Sequence, residues 1–199
     1  MKGHEYARAQ VKAHLQARVP GRLSALKAAL SVTTPAAPAA YLLADRLPVD
    51  PALYPCIIVN STGAPRMRAQ SVHGKGDTVD YIVVYDLRVV VACRTDVAGG
   101  DEAASLDRDR LLLAVREALL SPGTLPADIE LVTTDMTEDT GAATQDLRGR
   151  PLSAGQVTFS AACLETLTPA TVPDALEESA IEVIGYPAAT VTITPEPEE

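Results

Sequence analysis

The sequence predicts an α+β fold: a single, mostly antiparallel β-sheet of about four strands packed by an N-terminal helix and a central helix, then an extended C-terminal arm. Two apolar stripes at helical spacing lie at Glu5–Leu30 and after Gly99. Between and after them run alternating segments of β-branched residues, the clearest being Val79–Arg94. No period of 20 to 50 residues repeats, which sets aside solenoids and propellers.

The first helix is drawn by Val11, Leu15, Val19, Leu23, Leu26 and Leu30, which recur at steps of four and three and so share one helix face. Pro20 and Gly21 sit inside that stripe, so the expectation is a kink or two helices in tandem. Residues 31–54 carry four prolines among small residues and are expected as a surface connector, because proline fixes the chain and removes backbone donors. The run PCIIVN, residues 55–60, reads as a short buried strand that stops at Ser61, Thr62 and Gly63.

Residues 64–78 hold Arg66, Arg68, His73 and Lys75 between Gly and Pro without a period, the pattern of a loop or hairpin arm with a local basic patch. In Val79–Arg94, alternation sends Val79, Tyr81, Val83, Tyr85, Leu87, Val89, Val91 and Cys93 to a core face. The other face is mixed and includes Asp86, Arg88 and Arg94. Sixteen residues is long for one strand, so a bend or bulge near Asp86 is expected.

The second helix starts after Gly99 and Gly100 with Asp101 and Glu102, carboxylates that suit a helix N-terminus. Ala104, Leu111, Val115, Ala118 and Leu119 form its stripe, and Asp107, Arg108, Asp109, Arg110, Arg116 and Glu117 read as its solvent face. Ile129–Thr134 and Gln156–Leu167 read as two further strands. The expected organisation is a core domain over residues 1–167 and an arm over residues 168–199, rich in Pro, Thr, Ala and acidic residues.

Composition narrows the function. The chain has a net charge of −9, which argues against a general nucleic-acid surface because phosphate binding needs clustered Lys and Arg. One Phe, six Tyr and no Trp leave few stacking platforms. The opening MKGHEYARAQ lacks the apolar stretch of a signal peptide, and no apolar run reaches the ~20 residues of a membrane span, so a cytosolic product is expected. Cys56, Cys93 and Cys163 are odd in number and lie in strand-like runs, which reads as three small buried hydrophobes.

Catalytic and metal signatures are weak. His4 and His14 fall in the first helix and His73 in the basic loop, and no G-x-S-x-G elbow occurs. HGKGDT at residues 73–78 fails as a phosphate loop, since Gly76 stands where a Ser or Thr must hold magnesium. Asp135, Glu138 and Asp139 lack the spacing of a calcium loop, and no Cys/His zinc spacing occurs. No cofactor and no catalytic residue is therefore assigned.

YIVVYDLRVVVACRTDVAGGDEAASLDRDRLLLAVREALLSPG, residues 81–123, resembles the strand-then-helix centre of tail terminator proteins of long-tailed bacteriophages. A long strand ending in Arg leads through a Gly-containing turn to a helix with paired Asp and Arg and a Leu-rich end. YPCIIVN and the N-terminal helix stand in the same order, so the resemblance spans residues 5–30 and 54–167.

The resemblance implies a non-enzymatic virion structural protein of the tail–neck region, made in the host cytoplasm. Its ring, usually hexameric, would cap the tail tube and meet the head-side connector or stopper protein, with DNA passing through unbound. A closed head-to-tail ring needs two different complementary surfaces on each subunit. The expected interface residues are Arg66, Arg68, Lys75, Asp86, Arg88, Arg94, Asp107 and Arg108. The Pro-rich segment and the C-terminal arm exceed a minimal terminator. Another neck or head-completion protein, a stand-alone binding module and a small hydrolase remain as alternatives.

Overall fold

A computed structural model of the chain describes residues 2–72, 79–94, 100–121, 123, 125–141, 144–145 and 151–167. The sixteen-residue strand is the axis of the sheet. This strand, β4 (Val79–Arg94), pairs antiparallel along its whole length with β7 (Pro151–Leu167), from Val79 opposite Leu167 to Arg94 opposite Leu152. Most core-face positions of both carry apolar side chains, Val83, Leu87, Val89 and Val91 on one and Val157, Phe159 and Ala161 on the other.

Each central strand carries an interrupted partner on its outer side. β2 (Cys56–Ser61) and β3 (Arg66–Val72) lie end to end along β4, opposite Ala92–Leu87 and Val84–Val79 respectively. β5 (Ile129–Asp139) and β6 (Thr144–Gln145) lie in the same manner along β7. The three-residue β1 (Ala40–Leu42) adds to β2 in parallel. Among the described residues the sheet thus has seven strands in place of the expected four or so, and one of its pairings is parallel. The extra strands are short or polar, and pairing with a neighbour defines them more than their own composition does.

Of the bend or bulge expected near Asp86, no bulge occurs: the pairing of β4 with β7 runs without a register shift, and the irregularities lie on the outer strands. Thr62–Pro65 separates β2 from β3, with the Thr62 N–H still donating to the Asp86 carbonyl at 2.9 Å. Register shifts fall between Ala69 and Ser71 and between Val132 and Thr137. The reason is hydrogen-bond satisfaction: β4 has neighbours on both edges and a break would orphan buried backbone groups, whereas an outer strand can turn them to solvent.

Both helices, α1 (Gly3–Leu30) and α2 (Gly100–Leu119), cover the same sheet face. Ala7, Val11, Leu15, Val19 and Leu23 of α1 and Leu111, Leu112, Val115, Ala118 and Leu119 of α2 close one core with β4 and β7. α1 runs unbroken through Pro20, so the tandem-helix expectation is corrected. Gln16, Pro20 and Gly21 are exposed, so the turn that loses the proline N–H faces solvent while the buried stripe on either side stays packed. Each half of the fold is therefore a helix, an interrupted outer strand and a long inner strand.

Among the described residues the second sheet face has no α-helix. Its end near Cys56 is covered by the connector, where Ala40, Cys56, Ile58, Ala92 and Leu152 form a small second core with Leu42, Leu53 and Tyr54 packed against it. The Pro-rich connector thus carries β1 and a 3-10 turn, Pro51–Leu53, and seals part of the sheet. Residues 168–199, expected as an arm, lie outside the described residues.

Candidate functional site

Among the described residues, the open part of the second sheet face carries a ladder of polar side chains, with Val84, Ala162 and the exposed Leu164 among them. The even-numbered residues of β4 point to it, and register places Asn60 beside Arg88, Thr158 next to Arg88 on the other side, and Ser160 beside Asp86. The Arg66 guanidinium donates to Asp86 Oδ1 at 2.7 Å and to Ser160 Oγ at 3.3 Å, while Ser160 Oγ donates to the same Asp86 oxygen at 2.7 Å. Arg88 Nε donates to Asn60 Oδ1 at 3.1 Å, the Thr137 and Thr158 hydroxyls share a bond of 2.5 Å, and Gln156 Nε2 donates to Asp139 Oδ2 at 3.3 Å. Thr166 donates to Asp80 at 2.7 Å at the far end of the ladder. A shallow cleft crosses this face, lined by Thr62, Arg66, Asp86, Arg88, Asp135 and Ser160.

Energetically the ladder orders the surface more than it holds the fold. The Arg66 side chain is 66% exposed, and an exposed pair such as Arg66–Asp86 contributes about 0–1 kcal/mol. Side chains already fixed by cross-strand bonds lose less rotamer freedom when a partner docks on them.

Of the residues expected at an interface, Arg66, Asp86 and Arg88 come together in this cleft. Arg68 is two residues further along β3, opposite Ile82. Arg94 stands at the covered end, its guanidinium 5.9 Å from the centre of the Tyr54 ring. Asp107 pairs with Arg110 across one helical turn at 3.4 Å, and Arg110 also donates to the Thr34 hydroxyl at 2.8 Å, which ties α2 to the connector. Lys75, His73 and the HGKGDT segment lie outside the described residues.

Arg108 requires a correction. It is not on the solvent face: it is 8% exposed, and it donates to the Gly141 carbonyl at 2.8 Å, to Ser153 Oγ at 2.9 Å and to Asp109 Oδ1 at 2.8 Å. A guanidinium with several planar donors can satisfy that many acceptors from one buried position. Arg108 clamps α2 onto the end of the sheet, a structural role.

A second polar cluster, unassigned by sequence, sits where α1 begins. Glu165 is 1% exposed, accepts from the Lys2 backbone N–H at 2.9 Å and from the Tyr85 hydroxyl at 2.6 Å. Burial pushes its pKa up, but the Tyr85 hydroxyl and the backbone N–H groups of Lys2 and Gly3 outweigh burial and hold the carboxyl below its ordinary 4.5. Lys2 has no capping side chain of its own, so this carboxylate from β7 serves the orphan N–H groups and faces the positive end of the helix. Beside it the Lys2 ammonium and the Tyr6 hydroxyl both donate to Asp128, whose carboxyl is held low first by Lys2 and then by Tyr6. His14 of α1 bonds the Ala118 carbonyl of α2 at 2.9 Å.

The three cysteines are buried and unpaired with one another, as expected of small hydrophobes. Burial pushes the Cys56 thiol up to about 12 and the Cys163 thiol up to about 11, which keeps both protonated and poorly nucleophilic near neutrality. Of the acidic trio on β5, Glu138 pairs with Arg116 at 3.0 Å and Asp139 with Gln156. Among the described residues no group of three His, Cys, Asp or Glu side chains is placed to hold a metal ion, and no helix is long and apolar enough to cross a membrane. Compared with protein-family models and with curated proteins, the chain matches none.

Proposed function

We propose that this chain is a virion structural protein without catalytic activity, a tail terminator whose copies form a hexameric ring that caps the tail tube and meets the head-side connector. The observation that carries this reading is the ordered polar ladder on the helix-free face, with Arg66, Asp86 and Ser160 linked across β3, β4 and β7. It supplies a broad, preordered protein-binding surface on the side opposite the helices. The resemblance of residues 81–123 to the centre of tail terminators supports it independently. Capping then follows from asymmetry: a ring with one face matched to the tube end and another that is not stops further addition.

The deciding measurement is solution mass by light scattering, for the purified chain alone and mixed with tail-tube protein. A ring that forms on mixing, or that forms alone and then binds tube protein, supports the terminator reading. Rings indifferent to tube protein point to another neck component, and a chain monomeric under both conditions overturns the assembly role.

A further inference from the structure

Among the described residues, β3 lies at one edge of the sheet, beyond β4, and β5 at the other, beyond β7, and the two are matched to each other. β3 carries Arg66 and Arg68 and no acidic residue, whereas β5 carries Glu130, Asp135, Glu138 and Asp139 and no basic one. Their directions are also suited. β3 is antiparallel to β4, β4 to β7 and β7 to β5, so β3 and β5 oppose each other, and a second copy set alongside in the same orientation brings them together as an antiparallel pair.

Register makes the match residue-specific. Arg66 lies opposite Val84, Val84 opposite Ala162, and Ala162 opposite Glu130, so Arg66 and Glu130 end the same row of the sheet at its two edges. The adjacent row runs Met67, Val83, Cys163, Ile129 and lies on the helix side. On that side Met67 is 52% exposed, an apolar side chain standing at the edge. Next to β5 on the same side is a groove between the end of α2 and the strand, lined by Leu119, Leu120, Leu125, Ile129, Leu131 and Thr133, with Leu120 55% exposed.

We propose that β3 of one copy adds to β5 of the next, continuing the sheet from subunit to subunit, with Arg66 facing Glu130 across the junction and Met67 entering the groove beside Ile129. This rests on the assembly reading above and names its subunit contact. The contact is head-to-tail, since the two edges differ, so it propagates and closes into a ring when the sheet twist brings the last copy to the first. It also pairs the free sides of β3 and β5, which left open invite indiscriminate strand pairing.

The test is a cysteine pair, Arg66→Cys with Glu130→Cys in the full chain. Within one chain these positions are three strand spacings apart, about 14 Å, beyond the reach of a disulfide, so any bond formed joins two copies. Mild oxidation is expected to give a ladder of covalent multimers on a non-reducing gel, with neither single variant going beyond dimers. In a second arm R66E and E130R each lower the assembled mass measured by light scattering, and the double reversal restores it. If the wild type assembles while the cysteine pair stays uncrosslinked and the double reversal rescues nothing, the edge pairing is overturned and the assembly reading stands. If the wild type is monomeric alone and with tail-tube protein, both fall.

Discussion

Glu165 is ionised although almost fully buried, and a carboxylate in that position is tolerated only because Tyr85 and the first backbone N–H groups of α1 surround it. Glu165→Gln keeps the shape and removes the charge, and it is expected to lower stability by about 2–3 kcal/mol in urea unfolding at neutral pH. Because the folded-state pKa lies below the ordinary 4.5, the stabilisation from Glu165 is present above pH 4.5 and is lost as pH falls through the folded value. The wild type therefore loses stability steeply on acidification below pH 4.5, and E165Q less steeply, retaining the part due to Asp128. Arg108→Ala strands the Gly141 carbonyl and Ser153 hydroxyl and is expected to cost about 2–4 kcal/mol, with Arg108→Lys in between because one ammonium replaces the fork. Both buried groups stand at positions that the sequence period marks as interior. Arg108 is four residues after Ala104 and three before Leu111, inside the α2 stripe, and Glu165 follows Val157, Phe159, Ala161 and Cys163 on the inward beat of β7. Reading charge as exposure hid them, although a charge at a core position is itself a signal of a satisfied polar site.

At the scale of elements, the two helices and the strands β2, β4, β5 and β7 were legible because each carries a buried apolar run or face. β1, β3 and β6 were not, since β1 and β6 are too short to show a period and β3 reads Arg-Met-Arg-Ala-Gln-Ser-Val. What makes them strands is the open side of β2, β4 and β7. Two glycines separate local propensity from packing. Gly21 is exposed within α1 with no atom within 4 Å of an added Cβ, so Gly21→Ala is expected to stabilise by about 0.5–1 kcal/mol through helix propensity. In β7, a Cβ at Gly155 would meet Arg108 Cδ, Leu112 Cδ2 and the Asp139 carbonyl at 3.2 Å each. That glycine lets α2 seat on the sheet, and Gly155→Ala is expected to cost about 1–3 kcal/mol by overpacking. Thermal unfolding of the two variants should shift in opposite directions, and a destabilised G21A would show that Pro20 has already put the α1 turn under strain.

For the whole molecule, charge is distributed unevenly along the chain. Residues 168–199 hold seven acidic residues and no Lys or Arg, so residues 1–167, with 17 basic and 19 acidic, are nearly neutral. Most of the net negative charge is therefore carried by residues 168–199, and the strand edges can approach under opposite local charges. Salt acts differently on the two effects. Raising NaCl from about 0.01 M to 0.15 M shortens the Debye length from about 30 Å to 8 Å and removes long-range repulsion, while the contact between Arg66 and Glu130 is less affected at its short distance. Going on to about 1 M reduces the length to about 3 Å and weakens that contact too. The assembled mass at fixed protein concentration is thus expected to pass through a maximum near physiological salt. In Glu130→Gln the decline at high salt should vanish and the curve should rise and then level, because only repulsion is left to screen. A wild-type curve that rises steadily to 1 M would instead mean that the apolar contact of Met67 alone decides association and that the charged row contributes nothing measurable.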